Sequence, residues 1–73
     1  MIALEPLRKH SSNVAATGHD PATNTLYVKF HDGSTYGYPQ RTAEEHRALR
    51  AAKSVGGHLH QFHVKRGDGE RVA

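Results

Sequence analysis

The chain has no cysteine among its 73 residues. Disulfide staples and thiolate metal sites are therefore excluded. No apolar run is longer than a few residues, so nothing is built to span or anchor in a membrane. Met1-Ile2-Ala3-Leu4-Glu5-Pro6 holds no charged segment leading into a long apolar run. No signal peptide is expected on that ground, and the expected location is the cytoplasm. Internal repeats and low-complexity blocks are missing. So are a phosphate-cradling glycine fingerprint and a nucleophile elbow, and nothing pairs Ser11, Ser12 or Ser54 with a histidine as an activated nucleophile. Neither an enzyme nor a cofactor is expected.

A strong charge of one sign is also lacking. Ten Lys and Arg stand against seven Asp and Glu, a formal net charge of +3, with seven His that add charge only below pH ~6.5. That balance is compatible with a polyanionic partner without requiring one. The length gives one domain, and a chain this short buries only about 60% of its unfolded surface, so the core must be thin. Stability then has to come from compact packing, a partner or self-association.

What is present is a sequence of short, well-marked elements. Residues 1–10 read as an N-terminal arm in which Leu4 and Leu7 can pin the segment to the body. Residues 13–18 read as a first strand, followed by Asp20-Pro21, which starts a turn because proline cannot donate to a ladder. Leu26, Val28 and Phe30 alternate with Tyr27, Lys29 and His31, the period of a half-buried strand. Asp32-Gly33 marks a hairpin and residues 34–38 return as a third strand.

The hairpin register decides the fate of the tyrosines. A two-residue turn would put Tyr36 and Tyr38 beside Lys29 and Tyr27 on the face away from Leu26, Val28 and Phe30. A three-residue loop with Gly33 in the left-handed conformation would place Tyr36 opposite Val28 and Tyr38 opposite Leu26. The second register gives the richer core and is the one expected.

Helical signals follow. Thr42 and Glu45 have the spacing of a capping box, opening a helix to about Lys53 with Ala48, Leu49 and Ala52 on one arc and Arg47, Arg50 and Lys53 on another. Ser54 can cap a second helix in which Val55, Leu59 and Phe62 stack, although Gly56 and Gly57 weaken its first turn. Residues 66–73 are polar and glycine-rich, and read as a flexible C-terminal tail. The fold class expected is α+β: a three-stranded antiparallel β-meander with two short α-helices packed on one face.

In this order the chain resembles the KTSC domain, a short bacterial and phage module also appended to some lysyl-tRNA synthetases. The likeness rests on Ser11-Ser12-Asn13-Val14-Ala15-Ala16 and Gly18-His19-Asp20-Pro21, then Leu26, Val28 and Phe30 at alternate positions. It continues through Asp32-Gly33-Ser34, the pair Tyr36 and Tyr38, Ala52-Lys53-Ser54 with Gly56, and Val64-Lys65, covering about residues 11–65. Tyr36-Gly37-Tyr38 corresponds to the family's central Tyr-x-Tyr, and Ser12, Asn13, Asp20, Tyr36 and Tyr38 are the motif positions carried over. His19 departs from the family's usual Tyr, and Leu59-His60 from an aromatic followed by Asn. The resemblance implies a binding role, with RNA suggested by the synthetase context.

Two surfaces are candidates. A basic helix face, Arg47, Arg50 and Lys53 with Arg41 at its start and Lys29 and Lys65 elsewhere, could follow a phosphate backbone, or could be an ordinary solvated face. The segment Lys53-Ser54-Val55-Gly56-Gly57 has the parts of an anion site at a helix start, or of a plain cap and turn. His58, His60 and His63 fall within six residues but do not share one helix face, so no metal site is expected. Single-stranded RNA or another nucleic acid is one expected partner. The alternative is a protein partner with no nucleic-acid role, and no membrane is involved.

Overall fold

In a computed structural model, which describes residues 2–8, 11 and 13–73, five antiparallel strands form one sheet in sequential order. They are β1 (Glu5–Pro6), β2 (Val14–Asp20), β3 (Thr25–Phe30), β4 (Thr35–Tyr38) and β5 (Glu70–Arg71). Between β4 and β5 the chain makes α1 (Ala43–Ala51), α2 (Val55–Phe62) and a 3₁₀ turn (Val64–Arg66). The fold is α+β with both helices packed on the sheet, but the expected three-stranded meander is corrected to five strands.

The two additional strands come from the ends of the chain. Each has two exposed residues, so neither carries an alternating apolar pattern for the sequence to display. They join the sheet through backbone bonds and are held by arginines from elsewhere. Arg50 donates to the carbonyls of Glu5 (3.1 Å) and Pro6 (3.0 Å), and Arg41 pairs with Asp68 just before β5.

The β3–β4 hairpin takes the three-residue loop. Leu26 faces Tyr38 and Val28 faces Tyr36, while Phe30 donates to the Ser34 carbonyl across the loop. Gly33 sits at φ +93°, a conformation that side chains resist. Asp32 accepts from both the amide (2.9 Å) and hydroxyl (2.6 Å) of Ser34. Those bonds hold its carboxyl below the ordinary carboxylate range.

The core is Val14, Leu26, Val28, Tyr38, Leu49, Val55 and Leu59, with Leu7, Phe30 and Tyr36 packed against it. A bulge in β2 between Val14 and Ala16 lets Val14 and Thr17, three residues apart, pair with Phe30 and Val28 respectively. Phe62 does not complete the expected helical stack: it is 52% exposed, and His63 is buried at 2%. Helix α1 opens with the capping box, since Thr42 Oγ1 accepts from the Glu45 amide and Glu45 accepts from the Thr42 amide. Replacing Thr42 with alanine is expected to lower unfolding stability by about 1 kcal/mol, read by urea denaturation. An unchanged midpoint would show that the box contributes nothing.

Candidate anion-binding corner

The first turn of α2 borders a depression of about 230 Å³ lined by Ser11, Asn13, Lys53, Ser54, Val55, Gly56 and Gly57. The expected quartet Lys53, Ser54, Gly56 and Gly57 is thus brought together, joined by two residues from the segment before β2. Ser54 is the N-cap and its hydroxyl accepts from the Gly57 amide at 3.2 Å. On the other wall, Ser11 Oγ accepts from the Val14 amide at 3.1 Å. His31 braces this segment by bonding the carbonyls of Ser11 (2.8 Å) and Asn13 (2.9 Å).

The two helix starts differ in charge. Helix α1 carries Glu44 and Glu45 in its first turn and uses Glu45 in its own cap. Helix α2 has no acidic residue in its first turn. Its positive dipole end therefore meets Lys53 rather than a carboxylate, which favours an anion from outside.

A second depression, about 360 Å³, is lined by Glu5, Leu7, Arg8 and Arg50. Both depressions lie between the same two stretches of chain, residues 5–13 and 50–57. Arg50 is a structural clamp as well as a charge, because it also donates to Thr17 Oγ1 at 2.8 Å. The same hydroxyl bonds His46 Nε2 at 2.9 Å. Burial, followed by the Arg50 charge, lowers the His46 pKa from its ordinary value.

The other expected cations do not gather here. Arg47 is exposed on α1 and Lys65 on the 3₁₀ turn. Lys29 pairs with Ala16 and Thr35 on β3, on alternate positions from the core residues Val28 and Leu26, so it occupies the sheet face away from the helices. Among the motif positions, Asp20 accepts from the Ala22 amide at 2.9 Å and shapes the β2–β3 turn, and Tyr36 and Tyr38 belong to the core side. Ser12 lies outside the described residues.

Sequence reasoning missed the largest fully buried side chain among the described residues. Arg41 is fully buried. Its Nε donates to His63 Nδ1 at 2.7 Å, and its two terminal nitrogens grip Asp68 at 2.8 and 2.9 Å, with Nη1 also on the Pro39 carbonyl. Burial and the Arg41 charge push the His63 pKa down to about 4. Arg41 in turn holds the Asp68 carboxyl below its ordinary value. No local pattern announces this cluster, whose three members come from separate segments.

Residues of α1, α2 and the following turn line a groove of about 460 Å³: Glu45, Ala48, His58, Gln61, Phe62, His63 and Arg66. The Phe62 ring lies 4.6 Å from that of His58, centroid to centroid. His63 Nδ1 is engaged by Arg41, and no group of three metal-ligating side chains occurs among the described residues.

A five-stranded sheet carrying two helices, with a basic, hydrogen-bond-rich corner, makes a small α+β domain whose surface is consistent with a binding module. The KTSC domain matches residues 10–66, well over half of the chain, and the chain belongs to that family. No curated protein is similar enough to count as a match. No helix among the described residues is long and apolar enough to cross a membrane.

Proposed function

We propose that the chain binds single-stranded RNA through its phosphate backbone, with one phosphate seated at the start of α2. The observation that carries this reading is the depression in which Lys53, Ser54, Gly56 and Gly57 meet Ser11 and Asn13 beside a helix end with no acidic residue in its first turn. The neighbouring Arg8 and Arg50 extend positive charge along the seam. Phosphate contacts of this kind supply affinity without sequence preference, and they weaken as salt rises.

An NMR titration of the chain with a short single-stranded RNA at low salt tests it. Amide shifts are expected at residues 53–57 and at Ser11 and Asn13. Changing Lys53 to alanine is expected to reduce the salt slope of binding by about 0.7, the share of one single-strand phosphate contact. Changing Lys29, on the opposite sheet face, should leave the slope unchanged. No shifts at low salt, or shifts confined to Tyr27 and Lys29, would refute this site.

A second reading, a protein partner, is favoured by the half-exposed Phe62 in the α1–α2 groove. Phe62→Ser would leave RNA binding intact and abolish that contact.

A further inference from the structure

The C-terminal segment sits in its place like a ligand. Both Asp68 oxygens are held by the Arg41 guanidinium, a fork-to-fork pair that fixes orientation as well as charge. Next, Gly69 lies against the Tyr38 ring, where an added Cβ would come 2.5 Å from Cε1, so a larger residue would have to displace the ring. Then Glu70 pairs with Gly37 and Arg71 with Tyr36. Beyond them Val72 donates to the Thr35 carbonyl at 2.8 Å, and Thr35 donates to that of Ala73 at 3.2 Å.

The seat and its occupant belong to different parts of the chain. Thr35, Tyr38, Arg41 and His63 all lie within the family match at residues 10–66, and the occupant lies beyond it. The two also differ in what they can tolerate. An empty seat would leave Arg41 as a buried cation facing only neutral partners, which is strongly unfavourable. The occupant contributes none of the core-cluster residues, and residues 69–73 are exposed even when docked. Its departure would bare one face of the Tyr38 ring but remove no side chain of the core cluster. Its connection runs through Gly67 at φ +74°, a residue that can swing between backbone conformations without side-chain hindrance.

We infer that the seat is also filled in trans: two copies of this chain exchange residues 68–73 and form a strand-swapped dimer. Each Asp68 then meets the Arg41 of the other copy, and each β5 extends the other copy's sheet beside β4. Every bond made within one chain is regained between two, so the balance is set by concentration and by the conformation of the Gly67 hinge. The second copy is the occupant because its segment is the sequence whose fit to the seat is already displayed. This inference stands apart from the RNA reading, since the seat is not part of the α2 corner.

The test uses the whole 73-residue chain. Chains carrying Tyr36→Cys and chains carrying Arg71→Cys are mixed, unfolded in urea under reducing conditions, refolded at high concentration and then oxidised. The native chain has no other cysteine, and these positions face one another across β4 and β5. The expected result is a disulfide joining one chain of each kind, together with an unsubstituted chain that dimerises under the same refolding by light scattering. Asp68→Asn, which keeps an acceptor for Arg41, combined with Gly69→Val, which meets the Tyr38 ring, should remain monomeric while folded by circular dichroism. An unsubstituted chain that stays monomeric at every concentration would overturn the inference. So would a double variant that dimerises equally well, or a monomer whose seat accepts added synthetic peptide of residues 66–73 without pairing of chains.

Discussion

Arg41→Ala is expected to cost the protein a large share of its stability at 25 °C, about 3–5 kcal/mol. Arg41 is the largest fully buried side chain, and its nitrogens bind groups from three segments: Pro39, His63 and Asp68. Removing one partner from a buried ion pair costs about 3–5 kcal/mol. A domain of this size is expected to be stable by only about 4–11 kcal/mol in all. The substitution also leaves His63 Nδ1 without its donor and opens a void beside Tyr38, whose ring lies 5.7 Å from the guanidinium carbon. Arg41→Met restores much of the volume and is expected to lose less, because Asp68 can turn to water. Asp68→Asn should be milder again, since the Asp68 side chain is already 33% exposed and the amide retains an acceptor. Urea unfolding followed by far-UV circular dichroism reads all three. If Arg41→Ala unfolds within about 1 kcal/mol of the parent chain, the cluster is not what ties the helices to the C-terminal segment.

The contrast between Arg41 and Lys53 shows which features were legible in the sequence. Lys53, Ser54, Gly56 and Gly57 are neighbours along the chain, so a cap, a lysine and two small residues announce a helix start that could meet an anion. Ser11 and Asn13, which complete that corner, are brought in by the sheet and carry no signal of their own at that distance. The central hairpin was readable because alternation and Asp32-Gly33 act over a few residues, and core richness selected between its two registers. The edge strands were not, because Glu5-Pro6 and Glu70-Arg71 owe their place to backbone bonds and to arginines remote in sequence. Arg41 reads as one more cation at a helix start. Only the fold reveals that Asp68 arrives from the polar tail to neutralise it, or that His63 rather than Phe62 turns inward.

Acid is expected to destabilise the protein through His63 before it does so through Asp68. In the unfolded chain the His63 ring titrates near 6.5, whereas in the folded protein burial first, and the Arg41 charge second, lower its pKa to about 4. Between these values the unfolded state binds the proton and the folded state refuses it. Stability is therefore undiminished above pH ~6.5 and falls as the pH drops towards about 4. At 1.36 kcal/mol per unit of pKa difference, the loss attributable to this ring is about 3 kcal/mol. Protonation would place an N–H on Nδ1, against the Arg41 N–H that it now accepts, and a second cation beside a buried one. His58 and Arg66 add positive charge around the ring, while Glu45 alone among the leading charges opposes them. The His46 shift has the same sign and adds to the slope. The Asp68 carboxylate, held low by Arg41, contributes stability that is lost only as the pH falls below its ordinary value of 3.8. His63→Gln keeps a neutral acceptor for Arg41 and removes the titration. Its urea midpoint should therefore change much less between pH 7 and pH 4.5 than that of the parent chain. Parallel pH profiles for the two proteins would show that the acid-sensitive group lies elsewhere.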